Sequence, residues 1–335
     1  MIKVGVIGAG HLGKWHIQNL KEIDTVDLVG FHDQDSVRSQ KIAQEYGVQS
    51  YDDLNALLSD CEAVSIVVPT SAHYAIARTA LRKNCHVFCE KPFMETLDEA
   101  DAIIKLAREN DLVLQVGHIE RFNPALAGIR NLSIQPLFIE SHRIAPFNPR
   151  GTDVAVILDL MIHDIDIILS VVQSPVASID AAGAPVLTEN VDIANARIRF
   201  QNGCVANITA SRISAKQMRK IRIFQKDAYI SIDFLKNKTE VYSLSSQTGS
   251  DPKGKTIAQF ETGAGEKKKI AYRRLKRTQH NAMREELYAF SKAIENGTKP
   301  PVTGEDGKRA LEIALQIEQQ IRGELQKRFQ DPTSS

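Results

Sequence analysis

From Ile2 to about Arg121, short apolar runs alternate with segments in which apolar residues recur every three or four positions. The runs "KVGVIGAG", "DLVGFHD", "AVSIVVPT", "HVFCEKP" and "LVLQVGH" read as strands. The intervening "HLGKWHIQNLKEI", "SVRSQKIAQEYG", "SAHYAIARTALRKN" and "DEADAIIKLAREND" read as helices. Strands this apolar need cover on both faces, so the alternation predicts βαβ crossovers and a parallel sheet between helices. Local signals agree: Thr96 before Leu97-Asp98-Glu99 is a capping-box pattern, and Gly47 falls where the second helix should stop.

Beyond Asn123 the rhythm changes. One helical segment, Val154 to Val172, precedes the strand patterns "IANARIRF", "CVANITASRIS", "KIRIFQK" and "AYISIDF". Asn202-Gly203 between the first two is a hairpin signal, because a type I′ turn needs positive φ at both central residues. Ser245 to Lys269, polar and rich in Gly and Lys, reads as loop or weak edge structure, and helical patterns at Asn281–Asn296 and Glu305–Arg328 follow. The second half is expected to hold a largely antiparallel open sheet, one face on helices and the other apolar and covered by another subunit.

Gly8, Gly10 and Gly13 stand directly after the first apolar run in a G-x-G-x-x-G pattern. At a strand-to-helix turn the first glycine permits the tight turn. The second lets a pyrophosphate approach the backbone, and the third lets the helix pack on the strand. His11 and Leu12 open that helix, whose N-terminal amides and dipole favour phosphate. Asp33, about twenty residues past the last glycine, would accept from the adenine-ribose hydroxyls and repel a 2′-phosphate. NAD is therefore favoured over NADP, although Arg38 could reach a 2′-phosphate. The expected fold class is α/β: an N-terminal Rossmann dinucleotide-binding domain over residues 1–122, then a C-terminal α+β domain over 123–335 for substrate binding and oligomerisation.

Composition narrows the partners. The 335 residues carry 42 basic and 41 acidic side chains, a net charge of +1, so no whole-protein field holds the chain on nucleic acid or an anionic membrane. No apolar run approaches the roughly 18 residues of a membrane span and no secretory signal precedes the first strand, so a cytoplasmic location is expected. No His/Cys cluster has zinc spacing, and no metal is predicted. Cys85 and Cys89 lie about 13 Å apart in an extended segment, too far for a disulfide.

The glycine pattern, "VPTSAH" at Val68 to His73, "CEKP" at Cys89 to Pro92, "DLMIHDID" at Asp159 to Asp166, and "ENGTKPPVTGEDGKRALEIAL" from Glu295 to Leu315 together resemble the Gfo/Idh/MocA family of oxidoreductases, over nearly the full chain. The resemblance implies NAD contacts from Pro69, Thr70, His73, Glu90 and Lys91. It places Lys91 beside the nicotinamide and on the reacting hydroxyl, His163 as the favoured proton acceptor with Lys91 as the alternative, and Asp159 as a substrate-positioning group. Two positions depart from the family pattern: Thr70 stands where Asn is frequent, and Met161 where Gly is frequent, which should narrow space near the active helix. With "GHIERFNP" at Gly117 to Pro124, the segment "DLMIHDID" looks most like members acting on nucleotide-activated amino sugars. The implied reaction is oxidation of the 3-hydroxyl of UDP-N-acetylglucosamine.

The residues themselves support that chemistry. Oxidising a secondary alcohol requires a base for the hydroxyl proton, and histidine suits the task. Asp159, His163 and Asp166 at i, i+4 and i+7 should share one helical stripe, with Leu158, Leu160, Met161, Ile162 and Ile165 packed on the core. The structural alternative is a buried ion pair that orients the helix. Lys91 ends an apolar strand at the carboxyl edge, where open α/β sheets bind ligands. His73 reads equally as a helix-end polar residue, and Glu120 and Arg121 as substrate contacts or an interdomain salt bridge. Arg212, Lys216, Arg219 and Lys220, and the stretch "KKKIAYRRLKR" from Lys267 to Arg277, gather positive charge that would suit a substrate diphosphate or merely solvate edge strands. Alternative functions are a free-sugar or inositol dehydrogenase, an NAD-dependent glycosidase, and a non-catalytic dinucleotide sensor. A homodimer or homotetramer is expected.

Overall fold

A computed structural model of the chain describes all residues except 130–131, 149–153, 247–253, 264, 276–279 and 331–335. Element contacts divide it into two units: Met1–Phe122 with His280–Glu312, and Asn123–Gln279 with Ile313–Ser335.

The first unit begins with β1 (Ile2–Ile7), α1 (His11–Leu20), β2 (Val26–His32), α2 (Ser36–Tyr46), β3 (Ser50–Tyr51) and α3 (Leu54–Asp60). It continues through β4 (Ala63–Ile66), α4 (Thr70–Arg82), β5 (His86–Glu90), α5 (Leu97–Glu109) and β6 (Leu114–Gly117) to a 3-10 turn at Ile119–Phe122. The six strands are parallel in the order β3-β2-β1-β4-β5-β6. Strand order reverses between β1 and β4, the crevice where doubly wound sheets bind dinucleotides. Val4, Val6 and Ile7 are all buried, as a strand covered on both faces requires. The Thr96 capping box forms with both reciprocal hydrogen bonds, and Gly47 ends α2 at φ +61°. The pair β3 and α3, absent from the pattern reading, is only two and seven residues long, too short for a periodic signal.

The second unit contains α6 (Pro124–Ala127), β7 (Pro136–Ile144), a π-helical turn at Ile157–Met161 that runs into α7 (Ile162–Val172), and β8 (Val176–Ala184). Seven further strands follow: β9 (Ile193–Phe200), β10 (Val205–Ser211), β11 (Met218–Gln225), β12 (Ala228–Asp233), β13 (Lys238–Ser246), β14 (Lys255–Glu261) and β15 (Lys267–Arg274). They form a nine-stranded sheet in the order β14-β15-β13-β12-β11-β7-β10-β9-β8, antiparallel except where β7 meets β10. Alternate residues such as Ile139, Ile198, Ile208, Ile221 and Ile232 point into the core, and α7 packs on β7 and β10.

Two expectations change here. The sequence places everything beyond Asn123 in the second domain, but His280–Glu312 belongs by contact with the first. The reason is α8 (Ala282–Asn296), whose Leu287 and Phe290 complete the core around Val4, Ile17 and Phe88; the rings of Phe88 and Phe290 meet edge-on at 5.9 Å. The last helix, α9 (Gly304–Gln330), then continues into the second unit. The β9–β10 turn is not type I′: Gly203 alone has positive φ (+87°), and its amide donates to Phe200. Gln201 and Asn202 are thus the central residues, with Gly203 in the bulge position of a three-residue loop. In the polar interval at 245–269, partly outside the described residues, β14 forms an edge strand exposed at every position.

The open sheet face also departs from the uniformly apolar surface expected. It carries a row of five rings, Phe138, Phe224, Tyr229, Tyr242 and Tyr272, one from each neighbouring strand, with successive centroids 4.9–5.9 Å apart. The adjacent row is charged: Arg222 pairs with Glu140 at 3.2 Å, and Glu240 accepts from the Tyr272 hydroxyl at 2.7 Å. Facing side chains of complementary kind are how neighbouring strands stabilise one another.

Asp192, fully buried, ties down the loop before β9. Its Oδ2 accepts from the amides of Val186, Leu187 and Thr188 at 2.9, 2.7 and 2.9 Å, and its Oδ1 from the Thr188 hydroxyl at 2.9 Å. Burial raises this carboxyl, but the three amides and the hydroxyl outweigh it and hold the pKa at about 2. A depressed carboxylate stabilises the fold above its unfolded pKa and ceases to do so as pH falls through the folded value. Asp192→Ala should therefore cost about 1–3 kcal/mol at neutral pH. In urea unfolding the gap to wild type should narrow as pH falls from about 4 towards 2.

Candidate active site

In the first unit the chain turns from β1 into α1 through Gly8 at φ +94°. A Cβ on Gly8 would lie 2.4 Å from the Val67 carbonyl oxygen, and one on Gly13 would lie 2.0 Å from that of Gly8. Neither site admits a side chain. A Cβ on Gly10 would meet nothing within 4 Å, so the backbone there faces open space. No side chain caps α1 and no acidic residue stands in its first turn, which leaves its leading amides for an anion. A glycine turn with one open approach and two sterically enforced glycines fits a dinucleotide pyrophosphate.

That turn borders a cleft of about 750 Å³, lined among others by Gly8, Gly10, His11, Asp33, Asp35, Arg38, Pro69 and Ile76. Asp33 projects from the end of β2. Its Oδ2 accepts from the Ala9 amide at 2.7 Å and its Oδ1 from the Asp35 amide at 2.9 Å, while Arg38 Nη1 lies 3.1 Å from both oxygens. Burial pushes this carboxyl up, but the Asp35 and Ala9 amides and then Arg38 outweigh it and hold it below the usual carboxylate range. Asp33 is thus an oriented anion at the cleft wall, suited to ribose hydroxyls.

Glu90 and His73, expected to touch cofactor, are held by contacts that support the walls. Buried His16 directs Nε2 at Glu90 Oε1 (3.1 Å) and Nδ1 at the Ser65 hydroxyl (2.8 Å). A carboxylate only accepts, so Nε2 is the donor to Glu90. The other Glu90 oxygen accepts from the Lys91 amide at 3.2 Å, and a Cβ on Gly117 would come within 2.9 Å of the carboxyl group. The strand end that carries Lys91 is thereby tied to α1 and β4, and the Lys91–Pro92 bond is cis. His73 is 1% exposed, with Nδ1 3.1 Å from the Pro92 carbonyl and Nε2 2.9 Å from that of Val68. It braces the loops after β4 and β5, and sequence alone left that alternative open. Thr70 starts α4 behind Pro69, and Leu12 is exposed on the first turn of α1.

Within the second unit, His163 and Asp166 lie three residues apart on α7, whereas Asp159 sits in the π-helical turn. A π turn closes its ring over five residues rather than four, so Asp159 is rotated off the regular stripe; such turns are frequent at functional sites. Asp159 and His163 are half-buried and Asp166 is buried, while Leu158 and Leu160 are only half-buried. Met161 is fully buried in the core, so it does not narrow an open space. The ion pair that orients the helix is one the sequence reading missed. Arg143 on β7 donates to Asp164 through Nη2 at 2.7 Å and Nε at 3.1 Å, both side chains 2% exposed. The signal was a lone Arg at an inward position of an alternating strand.

The basic residues do not form one patch. Arg212 is buried, 3.8 Å from Asp192 and donating to the Val154 carbonyl, so it anchors the approach to the π turn. Lys216 is exposed between β10 and β11, and Lys220 pairs with Asp233 at 3.5 Å. Lys267 to Arg274 form β15 near the sheet edge, while Lys276 and Arg277 lie outside the described residues. Arg121 pairs with Asp306 at 3.9 Å inside the first unit, not across domains, and Glu120 is buried beside it in the 3-10 turn. Among the described residues no group of three or more His, Cys, Asp or Glu side chains could hold a metal ion, and no helix is long and apolar enough to cross a membrane. All four cysteines are free thiols.

A parallel sheet in this strand order, an open glycine turn and an oriented acid at the end of β2 define a dinucleotide-binding oxidoreductase architecture. Residues 2–118 match the oxidoreductase family model with an NAD-binding Rossmann fold, and residues 141–231 match the GFO/IDH/MocA C-terminal domain. The chain belongs to the Gfo/Idh/MocA oxidoreductase family. It is 35% identical over 327 residues to the UDP-N-acetylglucosamine 3-dehydrogenase of Acidithiobacillus ferrooxidans, spanning 97% of this chain and 99% of that protein. A solved structure of that dehydrogenase is similar with a TM-score of 0.86 at 35% identity, over 96% of this chain and 98% of that one. The myo-inositol 2-dehydrogenase of Thermotoga maritima is 27% identical over 329 residues, 92% of this chain and 93% of that protein.

The glycines make separable predictions. Gly10→Ala adds a methyl only to the open approach, so it should leave the melting temperature within about 2 °C and weaken NAD at least about tenfold. Gly13→Ala forces a methyl onto the Gly8 carbonyl and should lower the melting temperature by several degrees. Calorimetry and a thermal melt on each variant check both.

Proposed function

We propose that this chain is an NAD-dependent dehydrogenase that oxidises the 3-hydroxyl of UDP-N-acetylglucosamine. The observation that carries this reading is the 35% identity to an enzyme of that name over 97% of the chain and 99% of that enzyme. The NAD cleft of the first unit supports it. When bound there, the nicotinamide supplies a hydride acceptor. His163 takes the proton of the reacting hydroxyl, Asp159 holds the sugar, and the Lys91 ammonium stabilises the charge that develops on that oxygen. Glu120 and Arg121 contribute to the sugar environment and exposed Lys216 to that of the diphosphate, while Arg212 supports the segment that leads into the helix bearing His163.

One observation favours a second reading, a free-sugar or inositol dehydrogenase. Arg212, the best candidate for a diphosphate, already donates to Val154 and faces Asp192. The similarity to a myo-inositol 2-dehydrogenase agrees with it.

We also infer a homo-oligomer joined through the open sheet face. A half-buried row of rings beside a row that runs Glu140, Arg222, Ser231, Glu240 and Arg274 offers apolar surface and charges of both signs to a second copy across a two-fold axis, as an isologous interface requires. An NAD substrate cycle and four free thiols accord with a cytoplasmic location.

Incubation with NAD and a panel of UDP-sugars, free sugars and inositols should give NADH and a 3-keto product only with the UDP-amino sugar; turnover of inositol alone would establish the second reading. Lys91→Ala should reduce turnover at least about a hundredfold while NADH still quenches the single tryptophan, Trp15, which stands half-exposed on α1. Retained turnover removes Lys91 from the reaction. Sedimentation should show a dimer or tetramer that Phe224→Glu with Tyr229→Glu converts to smaller species; an unchanged assembly rules out this face.

A further inference from the structure

Among the described residues lining the NAD cleft Arg38 is the one lysine or arginine, and it does not stand alone there. Its Nη1 lies 3.1 Å from each oxygen of Asp33, and its Nη2 lies 3.1 Å from Asp35 Oδ2. The guanidinium therefore bridges two carboxylates, and the three groups together carry one net negative charge. All three line the cleft.

Their roles differ. Asp33 is 7% exposed at its side chain and fixed by the amides of Ala9 and Asp35, whereas Arg38 and Asp35 are 44% and 47% exposed and can respond to a ligand. Ribose hydroxyls that donate to Asp33 compete with Arg38 for the same oxygens. A guanidinium so released would be the natural partner of a 2′-phosphate, because its planar fork matches phosphate oxygens. Asp35 still holds it from the other side. A doubly charged phosphate arriving there meets Asp33 and a cation that Asp35 has already neutralised.

Resting on the NAD reading of this cleft, we propose that Asp35 is a second cofactor-specificity residue, which excludes NADP by occupying Arg38, the one arginine among the described residues lining the cleft that could receive its 2′-phosphate. Asp33 repels that phosphate directly. Asp35 acts through Arg38. Its backbone amide also orients Asp33, and its side chain caps α2 by accepting from the Arg38 amide at 2.9 Å.

The test keeps the cap and removes the charge. Asn and Ser both cap helices well, so Asp35→Asn and Asp35→Ser should melt close to wild type. Calorimetric titration of NAD and NADP into wild type and both variants reads the affinities without turnover. The ratio of NADP to NAD affinity should rise about tenfold in both variants, equivalent to about 1.4 kcal/mol. Adding Arg38→Ala to Asp35→Asn should abolish the gain, and raising salt should weaken it. An unchanged ratio in both variants, with NAD binding to wild type, overturns the assignment while leaving the NAD cleft intact. A gain that survives Arg38→Ala also overturns it. Absence of NAD binding to the wild-type protein overturns the cofactor reading and this inference together.

Discussion

The closest constraint in the first unit is the approach of Gly13 to the carbonyl of Gly8, a contact with no room for a single carbon. It sets α1 hard against the end of β1. The amides at the start of α1 then point along the same crevice into which β2 delivers Asp33, and the Ala9 amide fastens that carboxylate to the turn itself. Phosphate recognition and ribose recognition are therefore not independent: the backbone that must bend at Gly8 also orients the acid that reads the sugar. His16, one turn further along α1, extends the coupling to Glu90 and so to the strand end that bears Lys91.

The second unit uses charge rather than close backbone contact to the same end. Burying the guanidinium of Arg143 and the carboxylate of Asp164 costs solvation energy, and their pairing about offsets it, so little net stability is expected from the pair. What it supplies is direction, since a bidentate pair tolerates few orientations of α7 on β7. Arg212 does the same for the segment entering the π turn, through Val154. Both arginines act on the helix that carries His163 without needing to meet a substrate.

Sequence revealed most where local chemistry has few solutions. Gly8 and Gly13 must be glycine, Thr96 and Glu99 reciprocally satisfy one helix end, and Gly47 takes the left-handed cap; each was readable from a few neighbouring residues. The strand rhythm likewise indicated both sheets, but in the second it picked out only β9 to β12 of nine strands. It could not show that α8 returns to the first unit, because an amphipathic stripe states that a face is buried but not against what. Nor could it separate Asn202-Gly203 in a two-residue turn from the three-residue loop that forms, since both place glycine at positive φ. For the candidate site, motif positions were legible, but whether a polar side chain faces a ligand or its own backbone was not. His73, Glu90 and Arg212 all carry suitable groups, and all are engaged by the protein through contacts from residues distant in sequence.

The ring of Phe290 against Phe88 has a consequence for how the molecule is made. A ribosome releases the Rossmann sheet long before α8, so the nascent sheet spends the synthesis of the entire second unit with Phe88 and Ile17 lacking their final cover. Maturation of the nucleotide-binding half thus waits on the synthesis of α8, and a fragment cut after Phe122 would expose an oily seam for chaperones to find.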